Sequence, residues 1–227
     1  MADLKSILLF LTIAALPVVL AVTLHEAAHG YVANRLGDDT AKRQGRLSLN
    51  PLVHVDPFGS VILPGLLLLL QSGILFGYAK PVPVRFDRLK NPRQDMIWVA
   101  AAGPATNFLL AFVSTVLLAL FAWAGGGGFA QWAGNMLSFS IFFNILIGVF
   151  NLMPVPPLDG GRIVTGLLPT RLAIPYARTE RFGFLIVLGA FLVLPMLTGF
   201  SLFQPLILAP TQAMSDFFHA LVGLQRP

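Results

Sequence analysis

The sequence predicts an all-α polytopic membrane protein, a bundle of about five to six transmembrane helices with one re-entrant segment and a short extended edge. Three observations predict it. Of the 227 residues, 56% are hydrophobic and 11% charged, with a mean hydropathy of +0.78, whereas a soluble domain carries roughly 25% charged residues. The apolar residues gather into runs at about 7–32, 58–76, 96–124, 129–152, 182–198 and 200–218, most of them near the length that a hydrocarbon core of about 30 Å requires. The basic residues collect in the connections between these runs, as they do where connections stay on the cytoplasmic side.

The first run follows Lys5 and could pass for a secretory leader. It continues, however, through Thr23, His25, Glu26 and His29, so a retained span is expected. The loop after it carries Arg35, Lys42, Arg43 and Arg46; the next, over 77–94, carries Lys80, Arg85, Arg88, Lys90 and Arg93. Basic loops thus flank both ends of run 58–76, which Pro57, Gly59, Pro64, Gly65, Gly73 and Gly77 also weaken as a straight helix. It is expected to enter the membrane without crossing, with Arg46 and Arg85 on one side. Tyr78 to Val84, containing Pro81 and Pro83, cannot form a regular helix and is expected to be the extended edge. Runs 96–124 and 129–152 cross out and back around Gly125 to Gly128. A third basic loop, 154–181, carries Arg162, Arg171, Arg178 and Arg181, and Pro195, Pro205 and Pro210 make the last two runs the least regular. The whole is expected to be one membrane domain over 1–227, with its motif-bearing core at about 5–165 and a C-terminal helical hairpin at about 182–222.

Composition also narrows the chemistry. The net charge of +5 and pI near 10.1 belong to topology and do not call for nucleic acid. Without cysteine, disulfides, thiolate zinc sites and thiol catalysis are excluded, so any metal is held by His, Asp or Glu. His25-Glu26-Ala27-Ala28-His29 has the spacing that stacks two imidazoles on one helix face with a carboxylate beside them. Zinc held there lowers the pKa of a bound water toward 7, and Glu26 is placed to take its proton and return it to a leaving amine. Three ionisable groups in an apolar run are costly unless paired or metal-bound.

Two histidines leave a catalytic zinc one protein ligand short; His54, Asp56, Asp159 and His219 are the candidates. Asp159 follows Pro154, Pro156 and Pro157 and precedes Gly160 and Gly161, a pattern expected to stop a helix and turn the carboxylate back into the bundle, or to make an ordinary Asx-turn or helix cap. His54 and Asp56 suit a second metal site or a gate, or else the backbone of a proline-flanked turn. Asn107, after Gly103, Pro104 and Ala105, suits an interhelical hydrogen bond or a substrate contact. His219 reads as a cation at a helix end or at the interface, and Trp98, Trp123 and Trp132 as an interfacial belt.

HEAAH in an apolar helix, AGPATN at 102–107 and NLMPVPPLDGGR at 151–162 resemble the site-2 protease family of intramembrane zinc metalloproteases. GRLSLNPLVHVDPFG and GYAKPVPV resemble its small branch without a PDZ domain. The resemblance covers about residues 18–165. It implies one zinc ion per chain on His25, His29 and Asp159, with Glu26 as general base and Asn151 hydrogen-bonding the substrate or its oxyanion. It further implies hydrolysis of a peptide bond within or near the spanning segment of a membrane-anchored protein. The chain is then a multi-pass protein of the cell membrane with its site toward the cytoplasm, and the edge residues Tyr78, Lys80 and Val82 receive the opened substrate. A membrane metal-ion transporter or channel using the same His and Asp is the alternative, as is a catalytically silent membrane chaperone of the same fold.

Overall fold

The computed structural model describes residues 4–62, 65–66, 80–123 and 127–223. Nine α-helices are used below: α1 (Leu4–Arg35), α2 (Thr40–Arg43), α3 (Pro92–Trp123), α4 (Gly128–Asn151), α5 (Asp159–Leu167), α6 (Thr170–Ala177), α7 (Gly183–Leu188), α8 (Leu194–Thr198) and α9 (Ala209–Leu221). Short 3-10 and π turns join several of them, and no strand occurs among the described residues. Among the described residues, four stretches are long and apolar enough to cross a membrane: Lys5–Arg35, Pro92–Trp123, Gly128–Asn151 and Thr170–Thr198. The protein is therefore an all-α polytopic membrane fold. The run expected at 200–218 takes shorter pieces, in which Met214 and Phe218 of α9 pack on Ala111, Ile141 and Ile145 of α3 and α4.

α3 is the central helix, packed against α1, α4 and α5. It runs antiparallel to α1 in a fixed register: His29 meets Val99, His25 meets Gly103, and Ala21 meets Asn107. Each step of four residues along α1 is matched by four in the opposite direction along α3, one helical turn at a time. Ala100, Ala101, Ala102 and Gly103 permit that approach because small side chains let backbones close up.

The third basic loop is more ordered than its sequence suggests. Asp159 opens α5, and Gly160 and Gly161 lie inside the helix. Helix α4 stops and the chain turns over 152–158, before the glycines, which serve close packing instead: a Cβ at 160 would stand 2.1 Å from the Leu152 carbonyl oxygen, and one at 161 would stand 2.3 Å from Pro156 N. The expected re-entrant segment, 58–76, lies mostly outside the described residues; its beginning belongs to the π turn Pro57–Ile62. The chain on both sides of it is described. Arg46 Nη2 donates to Lys80 O at 2.6 Å, and the Arg85 N–H to Asp38 Oδ2 at 2.6 Å, so both flanks sit at the Arg35 end of α1.

Candidate metal centre

The site begins with the helical stacking of His25 and His29, whose rings are 4.7 Å apart between centroids. His29 Nδ1–H donates to the Val99 carbonyl at 2.6 Å, and His25 Nδ1–H to Asn107 Oδ1 at 2.6 Å. A carbonyl only accepts, and Asn107 turns its oxygen toward His25 because its Nδ2 donates to Ala21 O at 3.3 Å and to Asn144 Oδ1 at 3.0 Å. Both ring protons are thereby assigned to Nδ1, and both Nε2 atoms present lone pairs.

Those lone pairs converge on Asp159. The two Nε2 atoms are 3.0 Å apart, and Asp159 Oδ2 lies 3.2 Å from that of His25 and 3.4 Å from that of His29. All three residues are buried, and Oδ2 has no hydrogen-bond donor among the described residues. Three acceptors meeting without a hydrogen between them repel one another unless a cation sits among them. Their spacing suits one, since ligands about 2.0–2.1 Å from a tetrahedral zinc stand about 3.3–3.4 Å apart. The opposite wall is hollowed to match: a Cβ on Gly103 would stand 2.5 Å from His29 Nε2 and 2.6 Å from His25 Nε2. Among the described residues this is the one group of His, Asp and Glu able to hold a metal.

Glu26 lies one residue, about 100°, around α1 from His25. Its Oε2 accepts the Val82 N–H at 2.8 Å, which ties the carboxylate to a strap, Lys80–Arg85, crossing beside the centre. The strap is caught at further points. The Arg46 guanidinium donates to the carbonyls of Val53, Lys80 and Pro81; the Lys80 N–H donates to His54 O at 2.9 Å; Asp38 receives the Arg85 N–H through Oδ2, and Thr40 N and Oγ1 through Oδ1. The exposed Arg85 guanidinium pairs with Asp87 and holds that carboxyl below its ordinary range. The strap forms no strand. Pro81 and Pro83 supply no N–H, and the amides of Lys80 and Val82 are already engaged.

The remaining predicted residues fall elsewhere. His54 is buried, and its Nε2–H donates to Ser48 O at 2.8 Å. Asp56 Oδ1 accepts the N–H groups of Phe58 and Gly59, so both residues organise turn backbone apart from the acceptor cluster. His219 lies in the last turn of α9, the helix end expected for it, but is buried at 6% exposure, with its Nδ1–H donating to Ser215 O at 2.7 Å. Asn107 is 0% exposed and touches His25 from behind. Asn151, half-buried at the end of α4, donates Nδ2–H to Ile147 O at 3.1 Å. Tyr78 lies outside the described residues.

Residues 13–195 match the sequence model of Peptidase family M50. The chain belongs to that family, the site-2 protease family. YwhC of Bacillus subtilis, which carries a provisional zinc metalloprotease name, is 39% identical over 83% of this chain and 91% of YwhC. Rip2 of Mycolicibacterium smegmatis, provisionally named in the same way, is 35% identical over 74% of this chain and 62% of Rip2. RasP of Bacillus subtilis, named as the regulator of sigma-W protease, is 39% identical over a shorter match, 28% of this chain and 15% of RasP. No solved structure matches the chain. Family M50 membership makes this a zinc metalloprotease of the membrane, and the transporter alternative falls with it.

Asp38, Arg46, Gly103 and Asn144 escaped the sequence reading of this M50 peptidase. Arg46 and Asp38 sit among charges that report topology, and Gly103 among small residues that any helix contact uses. Only Asn144 carried a signal, an amide within an apolar run.

Proposed function

We propose that this M50 peptidase hydrolyses a peptide bond within or beside the spanning segment of a membrane-anchored protein, using one zinc ion on His25, His29 and Asp159, with Glu26 as general base. The observation that carries the proposal is the convergence of His25 Nε2, His29 Nε2 and Asp159 Oδ2 within 3.4 Å of one another in the buried centre. Zinc, when bound, supplies a Lewis acid that lowers the pKa of water toward 7 and polarises the scissile carbonyl. Val99 and Asn107 hold the two rings in the ligating tautomer. Glu26, oriented by the Val82 N–H, takes the proton of the attacking water and delivers it to the departing amine nitrogen. The remaining amide hydrogen of Asn151 is suited to a developing oxyanion.

A spanning helix hides its carbonyls in its own hydrogen bonds, so the substrate has to unwind before attack. The strap residues Lys80 and Val82 line the path proposed for the opened segment. Its donor-poor edge favours a substrate that supplies its own N–H groups to strap carbonyls. His29 lies about 9 Å below the Arg35 end of α1, and the basic loops at that end support a site entered from the cytoplasm with segment 58–76 re-entering beside it.

Glu26→Gln is expected to keep zinc bound while turnover falls at least about 100-fold, the scale of a lost general base. In membranes carrying this variant, uncut spanning segments accumulate relative to wild type. Undiminished turnover removes Glu26 from the role. For orientation, this cysteine-free chain accepts single cysteines in place of Gln44 and Arg85, both exposed. An impermeant thiol reagent is expected to label both from the cytoplasmic face alone; labelling of both from outside reverses the orientation, and labelling from opposite faces removes re-entry.

A further inference from the structure

The Asn107 amide has two orientations of nearly equal shape, and only one suits the metal centre. With Oδ1 toward His25, Nδ1 keeps its proton and Nε2 presents its lone pair. With Nδ2 toward the ring, Nδ1 has to accept, the proton moves to Nε2 and the lone pair is lost. Ala21 O accepts from Asn107 Nδ2 at 3.3 Å, and the shorter of the two contacts that select between them lies farther away, on α4. Asn144 is 1% exposed, within a span where an unpartnered amide is costly. Its Nδ2 donates to the Ser140 carbonyl at 2.9 Å and to Ser140 Oγ at 3.3 Å. Ser140 Oγ lies 2.9 Å from Ser114 Oγ of α3. Because the Ser140 carbonyl only accepts, Asn144 has to aim Oδ1 at Asn107, which answers with Nδ2 at 3.0 Å.

We infer that Asn144 is a positioning residue of the metal centre, holding Asn107 in the orientation that keeps the His25 Nε2 lone pair available to zinc. The relay runs from Ser140 through Asn144 and Asn107 to His25, across α4, α3 and α1, and its direction is set by the carbonyl at its start. Ala21 O, accepting from the same Asn107 nitrogen at 3.3 Å, reinforces the last link. The inference rests on the zinc reading of His25 and adds a residue outside both metal motifs.

The test is zinc affinity of the full chain in detergent, by chelator competition, together with the thermal midpoint of the metal-free protein. Asn144→Leu, which removes the acceptor facing Asn107, is expected to weaken zinc about 10-fold, the lower end for residues that orient a ligand. Asn144→Asp is expected to return the affinity to near wild type, because burial keeps the new carboxyl protonated, with a hydroxyl for Ser140 and a carbonyl for Asn107. A merely structural residue would lower the thermal midpoint in both variants and leave affinity unchanged. Equal affinities in wild type and Asn144→Leu overturn the inference alone, whereas a wild-type protein without zinc affinity overturns the metal-centre reading as well. Should Asn144→Leu fail to accumulate, Asn144→Ser carries the comparison: its shorter hydroxyl withdraws from Asn107, so weakened zinc supports the relay and wild-type affinity overturns it.

Discussion

The two sides of the centre are built in different ways. On the α1–α3 side, helix meets helix in register, and the pieces that matter are side chains at four-residue steps: His29 on Val99, His25 on Gly103 and Asn107. On the strap side, a segment that two prolines keep out of helix is caught by side chains reaching for its backbone: Glu26 on Val82, Arg46 on Lys80 and Pro81, Asp38 on Arg85. The first side is buried throughout, whereas Lys80, Pro81 and Arg85 are exposed. The difference teaches a division of labour. On the proposed reading, helix packing sets the metal geometry, which tolerates little movement, while hydrogen bonds to backbone set the surface proposed for the substrate. Damage on the helix side should therefore remove metal, and damage on the strap side should spare metal and impair substrate use.

The largest effect is expected from Gly103→Ala. The added Cβ would stand within 2.6 Å of both Nε2 atoms, and no flexible chain end is there to yield. Zinc content measured on the purified protein is expected to fall to background, with turnover down at least about 100-fold, comparable to losing the metal's contribution. Stoichiometric zinc in this variant would mean that the α1–α3 contact is looser than its register implies. Asp159→Ala should lower occupancy by removing a ligand without touching that contact.

How legible each side was follows from the same distinction. HEAAH announces itself because helical periodicity is a local rule, and the position of Asp159 was read from the motif that carries it. The spans were legible from hydropathy, and the irregularity of the C-terminal region from Pro195, Pro205 and Pro210, since the π turns Gly189–Val193 and Gln204–Leu208 lie at or beside these prolines. The strap was legible only as a non-helical piece. Arg46 in particular counts in the sequence as one more cytoplasmic charge, yet it is 8% exposed and holds three carbonyls. Nothing in its neighbourhood distinguishes an arginine that marks topology from one that ties two loops together, because its acceptors are backbone carbonyls, which every residue has.

Arg46→Met is the next largest effect and the sharpest test of the division. Methionine fills much of the stem but offers no donor, so the carbonyls of Val53, Lys80 and Pro81 lose a charge-assisted partner, a contact type worth about 1.5–3 kcal/mol. Catalytic efficiency on a spanning-segment substrate is expected to drop about 10-fold, chiefly through KM, with zinc affinity unchanged. Arg46→Lys should recover only part of it, since a single ammonium cannot reproduce the fork that reaches two loops at once. Loss of zinc in Arg46→Met would mean that the two sides are mechanically one.

The smallest effect belongs to Asp38→Asn, and it separates a backbone anchor from a charge pair. Asp38 accepts on both oxygens: Oδ1 from Thr40, and Oδ2 from the Arg85 N–H at 2.6 Å. An asparagine can keep only one of these. If its oxygen stays in the local turn with Thr40, its NH2 group faces the Arg85 N–H, donor against donor, and that end of the strap is released. Arg85 is exposed, so water can replace the lost acceptor, and the cost stays near the low end of about 1–3 kcal/mol for a lost partner. Catalytic efficiency is accordingly expected to fall only about 3-fold, with zinc unchanged. Arg85→Ala supplies the contrast, because it removes the guanidinium, which pairs with Asp87, and leaves the backbone N–H in place. It is expected to behave as wild type in both assays. If Arg85→Ala is as damaging as Asp38→Asn, the strap is held at this end by charge, and the contrast between side-chain geometry on one side and backbone capture on the other fails there.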